Sequence, residues 1–457
     1  MGERLSAEIR PDSTHRYTRG VHDSASRAGA GTAWPFPWAG PTPSPPALSR
    51  RTWTLLVVAF LTVHFAALLV AMRTGNFEWV PNKDHARGMQ QILSQGYTTV
   101  PWWPPGFAYY LTAKMLVTRT LGLPYWAAKF LLDPFVFLAA GVLATRLGLL
   151  LTRHRGVAIA SGLGLACAPL FALASAEDLA ELLFQPFFLA AMLLLVRELQ
   201  RVEGPRTRGL LAAGATLGLA TLVRGNPQFL LFALLPVLWW VERRRGARRP
   251  AIGAAWIFGV ALAAQAAVML PWALVQRSSG ASGLLAANVF LPSFYNGMAR
   301  QRGFRIADEL RASDERNDRS VRGIVRFHLR WLREDPAALA RIYAVKLARA
   351  WYLSSSGRWD REIALLHAPF WAFALCGIAT WLYRARADPA LWFALVVIAY
   401  MWLVAALASG LARYTASLYG FIGMLAAVPV LLLLRRGASQ ADRSRSISVS
   451  SRRISSR

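Results

Sequence analysis

The sequence is poor in cysteine, in acidic residues and in charge generally. Only two cysteines occur in 457 residues, and both, Cys167 and Cys376, sit in apolar runs. Thiols so few and so placed exclude a disulfide framework and a multi-cysteine metal site. Charged residues make up 17% of the chain against 55% hydrophobic, and mean hydropathy is +0.33. A chain this short of charge is not a set of soluble domains. Acidic residues number 24 against 52 Lys and Arg, a formal charge of +28. In a soluble protein that excess would suggest nucleic acid. Here the basic residues stand in short clusters between long apolar runs, the pattern of a polytopic membrane protein. A nucleic-acid partner is therefore not expected.

A bilayer core needs about 20 predominantly apolar residues per helix. Ten such runs are present, at 53–72, 125–150, 157–175, 180–197, 209–223, 227–241, 251–271, 364–383, 389–410 and 414–434. The expected fold is thus an all-α bundle of about ten transmembrane helices, with amphipathic helices in its outer loops. The first run is too long for a removed signal peptide and lacks a small-residue cleavage site, so it reads as a retained anchor. Arginines cluster at alternate loops: Arg153 and Arg155, Arg197 to Arg208, Arg243 to Arg249, Arg384 and Arg386. The intervening short turns near 176–179, 224–226 and 411–413 carry one basic residue or none. Short basic loops face the cytoplasm, which sets both termini inside and the chain in the cell (inner) membrane. Residues 1–50 are polar and Pro-rich and 437–457 are Ser/Arg-rich; both read as disordered cytoplasmic tails around a membrane domain at 51–436. No internal repeat is visible.

Two outer segments are long, 73–124 and 272–363. In the first, Ala86, Met89, Ile92 and Leu93 fall at helical spacing, with Asn82 as candidate N-cap and Gly96 as stop. Asp84, Arg87 and Gln91 share the other face. Such a short amphipathic helix after a span is expected to lie in the interface plane, apolar side on lipid. Trp102-Trp103-Pro104-Pro105-Gly106 then opens an apolar helix. By spacing alone, Asp84 and Arg87 read equally as an ordinary interfacial charge pair. In the second outer segment Phe294-Tyr295-Asn296-Gly297 precedes an Arg-rich stretch, and Trp331, Leu332, Ala338, Leu339 and Ile342 suggest another amphipathic helix near the membrane.

The order of these motifs resembles the GT-C membrane glycosyltransferases, and more narrowly the protein-O-mannosyltransferase and aminoarabinose-transferase group (glycosyltransferase family 39 and its bacterial relatives). The resemblance rests on Asp84-x-x-Arg87 some twenty residues before a Pro-Pro-Gly helix, on Ala180-Glu181-Leu182-Leu183-Phe184 and on Gly218-Leu219-Ala220-Thr221-Leu222-Val223-Arg224. Pro271-Trp272 at the opening of the large outer segment and Ala412-Arg413-Tyr414 before the last span complete it. Two positions depart from the pattern. His85 stands where a second acid is usual, and Trp103 where some relatives carry a Lys before the Pro-Pro; Lys114 is a candidate substitute for that cation.

The resemblance implies transfer of a sugar from a polyprenyl-phosphate donor to a glycan, lipid or protein acceptor at the outer membrane face, with inversion. That chemistry needs a carboxylate to take the acceptor's proton and cations to steady the departing phosphate. Asp84 is then the general base, with Arg87, Lys114, Arg224, Arg413 and Tyr414 as donor-phosphate ligands. Glu177, Asp178 and Glu181 are candidates for the acceptor or for a divalent cation, whose presence the sequence leaves open. Plainer readings stand beside each. Asp84 suits a helix start, Ser175-x-x-Asp178 reads as a capping box with three acids on one helical turn, and Arg224 and Arg413 read as snorkelling span ends. Lys129 and Asp133, four apart in one span, read as a buried ion pair, and Asp133-Pro134 as a kink. The alternative functions are a transporter or flippase, and a lipid-linked-glycan ligase.

Overall fold

The structure is a computed structural model. It describes residues 46–434 except 82, 101–103, 202, 281–293, 295–296, 300, 302–303, 313–320, 353–359, 386–387 and 409–411. The side chains of Lys83, Asp84, Val321, Ala385, Ala412 and Arg413 are likewise outside the described residues, as are the expected tails but for 46–50. Among the described residues the regular elements are helices, with no strand.

The first helix, α1 (Arg50–Thr74), begins at Ser49, whose side chain accepts from the Thr52 amide, and ends at Gly75 in the left-handed region with φ of 74°. Cap and stop are thus local. At 25 residues it is about 37 Å long, enough to cross a bilayer. After it come α2 (Lys83–Gln95), α3 (Pro105–Thr120), a short α4 (Ala128–Leu131) and α5 (Asp133–Thr152). Next are α6 (Arg155–Ala166), α7 (Pro169–Ala172), α8 (Glu181–Leu199), α9 (Thr207–Val223), α10 (Leu230–Arg244) and α11 (Pro250–Ser278). The second outer segment contains α12 (Arg305–Ala312), α13 (Val321–Glu334) and α14 (Pro336–Arg349). The chain closes with α15 (Asp360–Ala385), α16 (Pro389–Ala408), a 3-10 stretch (Ala412–Leu418) and α17 over 419–434.

Seven segments are long and apolar enough to cross a membrane. With the shorter α6, α9 and α10 they account for all ten expected runs. The multi-pass all-α class therefore stands, with corrections to its parts. The run at 157–175 is not one helix: it breaks at Cys167-Ala168, because Pro169 cannot donate to the preceding turn and opens the separate α7. The run at 125–150 breaks at Leu132, where Asp133-Pro134 begins α5, so the proline starts a helix rather than kinking one. By contrast α11 runs straight through Pro271 to Ser278. The outer segment begins about seven residues later than expected.

Close helix contacts are set by glycine. A Cβ at Gly214 would meet the Ala261 carbonyl at 2.1 Å, and one at Gly218 the Gln265 carbonyl at 2.9 Å. Those two positions let α9 and α11 lie backbone to backbone, as small residues do in membranes. At the end of α9, a Cβ at Gly106 would meet the Leu222 carbonyl at 2.9 Å. The Pro-Pro-Gly start of α3 therefore abuts Leu222-Val223, immediately before Arg224.

The short helix α2 ends at Gly96 as expected, with φ of 82° and its amide donating to the Ile92 carbonyl. Its apolar side does not rest on lipid. Met89 and Ile92 are buried, Gly88 would touch the Ala108 methyl at 3.1 Å, and the His85 ring lies edge-on to Phe107 at 4.8 Å. The face that spacing assigns to lipid is instead spent on α3. Asn82, the expected N-cap, is outside the described residues.

Candidate active site at one end of the helix bundle

The starts of α3, α5 and α8, the ends of α1, α9, α11 and α16, and the 3-10 stretch at Ala412–Leu418 gather at one end of the bundle. A buried polar cluster lies there. The Lys114 ammonium reaches Asp133 Oδ2 at 3.1 Å and Asp178 Oδ1 at 2.7 Å. Lys129 Nζ is 3.2 Å from Asp178 Oδ2 and donates to the Ala176 carbonyl at 2.6 Å. Tyr110 and Ser175 hydroxyls donate to the two Asp133 oxygens, each at 2.6 Å, and Tyr125 donates to Asp178 at 3.2 Å. Two lysines face two aspartates, all at most 2% exposed, so the cluster is neutral as a whole. Burial by itself would lower the Lys114 pKa, but the Asp133 and Asp178 carboxylates overcome it and hold the ammonium above its ordinary value. Tyr110, buried and bonded to Asp133, is pushed well above the usual phenol range.

The cluster corrects three expectations. Lys129 and Asp133 are not partners: the break at Leu132 turns them apart, and each takes its opposite charge from elsewhere. Ser175-x-x-Asp178 is not a capping box, because 173–178 forms turns rather than a helix and the Ser175 hydroxyl goes to Asp133. Asp178 has φ of 48°, a left-handed conformation that Asp tolerates better than most residues. The three acids therefore do not share a helical turn: Glu177 is half-buried, Asp178 points into the cluster, and only Glu181 belongs to α8. Lys114 sits between two carboxylates at 1% exposure, and its charge is already matched inside the protein.

Beside the cluster a second group comes together. Glu181, in the first turn of α8, pairs with Arg224 at the end of α9. The Arg224 guanidinium stacks 4.2 Å from the Tyr414 ring centroid, a cation–π contact. Both charged residues are buried, at 4% and 9% exposure, so Arg224 is not a snorkelling span end. Arg87 lies exposed on α2. The placement of the Asp84 and Arg413 side chains and of Trp103 is outside the described residues; Asp84 stands one residue into α2, which is fastened to α3 and through Gly106 to the end of α9.

Sequence reading missed several polar groups. Tyr110 and Tyr125 complete the cluster but are residue types that apolar runs routinely carry, and Ser175, read as a cap, serves Asp133 instead. Gln185, one turn below Glu181, and Gln276, one turn above Trp272, are wholly buried, and among the described residues their side-chain amides have no hydrogen-bond partner. Their only sequence signal is an amide in an otherwise apolar stretch.

A divalent cation would need free carboxylates. Among the described residues no three His, Cys, Asp or Glu side chains converge. Both oxygens of Asp133 and of Asp178 are engaged by the chain's own donors. The described second-loop acids do not fit a metal, and no step below is routed through one.

No known family profile and no curated protein matches the sequence. Solved structures do match the fold. The oligosaccharyltransferase AglB from Archaeoglobus fulgidus, in complex with an inhibitory peptide and a dolichol-phosphate, is similar with a TM-score of 0.51 at 15% identity. The match covers 84% of this chain and 52% of that one. The Archaeoglobus fulgidus oligosaccharyltransferase in its apo form gives a TM-score of 0.52 at 14% identity, covering 86% and 52%. A structure of it with Zn and sulfate gives 0.52 at 14%, covering 83% and 49%. The chain thus has a GT-C fold and spans about half the length of these structures.

Proposed function

We propose that the chain is a membrane glycosyltransferase that moves a sugar from a polyprenyl-phosphate carrier to an acceptor at the outer membrane face. The observation that carries the reading is the Glu181–Arg224–Tyr414 group, placed at the same bundle end as the helix bearing Asp84. A phosphate on a polyprenyl tail sits at headgroup depth, and its leaving charge must be met there. Arg224 offers five N–H donors in a rigid fork. Glu181 and the Tyr414 ring fix the plane of that fork, leaving its remaining donors for phosphate oxygens. Arg87 and Arg413 are the further candidate phosphate ligands.

In the proposed reaction an acceptor hydroxyl attacks the anomeric carbon from the face opposite the phosphate. The new C–O bond forms as the bond to phosphate oxygen breaks. Asp84 takes the acceptor proton, and polyprenyl phosphate leaves with the electron pair, so the anomeric configuration inverts. Lys114 is reassigned from phosphate ligand to positioning residue: with Asp133, Asp178 and Lys129 it locks the 173–180 turn and hence the start of α8. The narrower kinship to the mannosyl- and aminoarabinosyl-transferring group and 51–436 as the transferase domain rest on motif order, and the inner-membrane location and cytoplasmic termini on the short basic loops.

The test is transfer from a radiolabelled polyprenyl-phosphate sugar in membranes holding the wild type, Asp84→Asn or Arg224→Gln. Asp84→Asn is expected to lose at least about 100-fold of the rate. Arg224→Gln is expected to weaken use of the phosphate-bearing donor by a comparable factor. Activity in Asp84→Asn equal to the wild type removes Asp84 as the base; no transfer by any of the three, with the wild type folded, removes the function.

A further inference from the structure

The helix α13 has two unlike faces. Phe327 and Trp331 are buried in a cluster with Phe294, Met298, Ile306 and Ile342. The opposite face carries a shallow cavity of about 540 Å3 lined by Arg322, Arg326, Arg330, Arg333, Val325 and Leu329. Val325, Leu329 and the neighbouring Leu332 are 51%, 47% and 57% exposed. Among the described residues no carboxylate lies within ion-pair distance of Arg322, Arg326 or Arg333. The acids of α12 are spent on its own arginines, Glu309 with Arg305 and Asp308 with Arg311. Asp335 caps α14 through the Ala338 amide at 2.9 Å. Glu334 alone edges the cavity, at its far end.

The place of this face follows from how α13 is tied to α14, which begins just after it with Asp335 as its N-cap. His328 Nδ1 lies 2.8 Å from the Ile324 carbonyl, which can only accept. The proton is therefore on Nδ1, and Nε2 accepts from the Tyr343 hydroxyl. That bond, with the His328 and Tyr343 rings stacked at 5.8 Å, ties α13 to α14. Lys346 Nζ donates to the Leu407 carbonyl at 2.9 Å, at the end of the spanning helix α16. Farther from that end of α16, Trp402 Nε1 donates to the Leu347 carbonyl at 2.8 Å. Trp351 then stacks against Trp371 and Trp402. α13 is thus joined, through α14, to the end of a helix long and apolar enough to cross a membrane.

We propose that this face seats the headgroups of anionic phospholipids in the adjoining leaflet, with Arg322 and Arg326 on the phosphates and Val325, Leu329 and Leu332 on the glycerol and upper acyl chains. An exposed valine and leucines interleaved with these arginines suit a lipid interface better than a soluble polyanion, which would use the arginines and leave the apolar side chains in water. Guanidinium forks match phosphate geometry bidentately. The docking does not depend on the transfer reaction.

The test uses the full chain in nanodiscs of POPC alone and of POPC with POPG at 3:1, read by hydrogen–deuterium exchange over 321–334. The wild type is expected to exchange more slowly there in POPG discs, by about five-fold per arginine engaged, and the difference is expected to shrink in 0.5 M NaCl. The triple variant Arg322→Gln/Arg326→Gln/Arg333→Gln is expected to show no POPG effect while the other helices exchange as before. Should the triple variant not fold, Arg326→Glu alone is expected to reduce the effect. Equal wild-type exchange in both discs overturns the proposal. So does equal protection in POPC discs on adding soluble inorganic phosphate or a soluble polyanionic glycan, which would make the face a soluble-anion site.

Discussion

Replacing Lys114 by Met removes one ammonium from a cluster that is neutral only while both lysines are present. Asp133 and Asp178 lose contacts at 3.1 and 2.7 Å, and one cation, Lys129, is left for two buried carboxylates. Removing one partner of a buried pair typically costs about 3–5 kcal/mol, because the survivor keeps its desolvation cost. At the specific unfolding entropy of globular chains, that is a fall of about 3–5 °C in Tm for a chain this long. The fall is larger if the detergent-unfolded state keeps its helices and so gains less entropy. The assay is thermal unfolding in detergent of wild type, Lys114→Met, Asp133→Asn and the double variant. The double variant restores one lysine facing one aspartate, and the introduced asparagine amide can still accept the Tyr110 hydroxyl through its carbonyl oxygen. It is expected to recover more than half of the loss, giving a coupling of about 2 kcal/mol or more. A single variant that melts with the wild type, or a double variant as unstable as the two singles added, refutes the charge-balance account.

Burial lowers the Lys346 pKa from 10.5 to about 7. Between those values the unfolded chain holds a proton that the folded chain has lost. Stability should therefore rise with pH from about 7 to 10 and be lowest below 7, and Lys346→Met should flatten that slope; Tm at pH 6.5, 8 and 9.5 decides it. Gln185 carries a buried amide without a partner among the described residues, so Gln185→Met should raise stability by about 1–3 kcal/mol; a lower Tm would show that the amide is satisfied in the membrane. Gly106→Ala would press a methyl against the Leu222 carbonyl at 2.9 Å and push α3 off α9. It should lower transfer more than it lowers Tm, and unaltered transfer would separate α3 placement from the site.

Much of the site was legible because it is written as charge in an apolar chain. Glu181, Arg224 and Tyr414 stood out at span ends, and they do meet. Asp178 and Lys114 were marked for the same reason, and they face each other. Spacing along one helix cannot say that a lysine in α3 will find an aspartate 64 residues away. It also mispaired Lys129 with Asp133, since periodicity presumes a continuous helix and Leu132 interrupts it. The α2 face assigned to lipid failed similarly: hydrophobicity marks a face for burial without naming what buries it.

Composition and periodicity by themselves determined the all-helical multi-pass class and its ten runs, because the bilayer imposes a length and a polarity on each span separately. Helix ends such as Ser49, Gly75 and Gly96 are local in the same way. Only the tertiary structure decided which acids are matched by lysines, which one holds Arg224, and that α13 leaves a basic face exposed. Those outcomes depend on which segments come together through glycines such as Gly106 and Gly214, and that pairing has no period in the sequence.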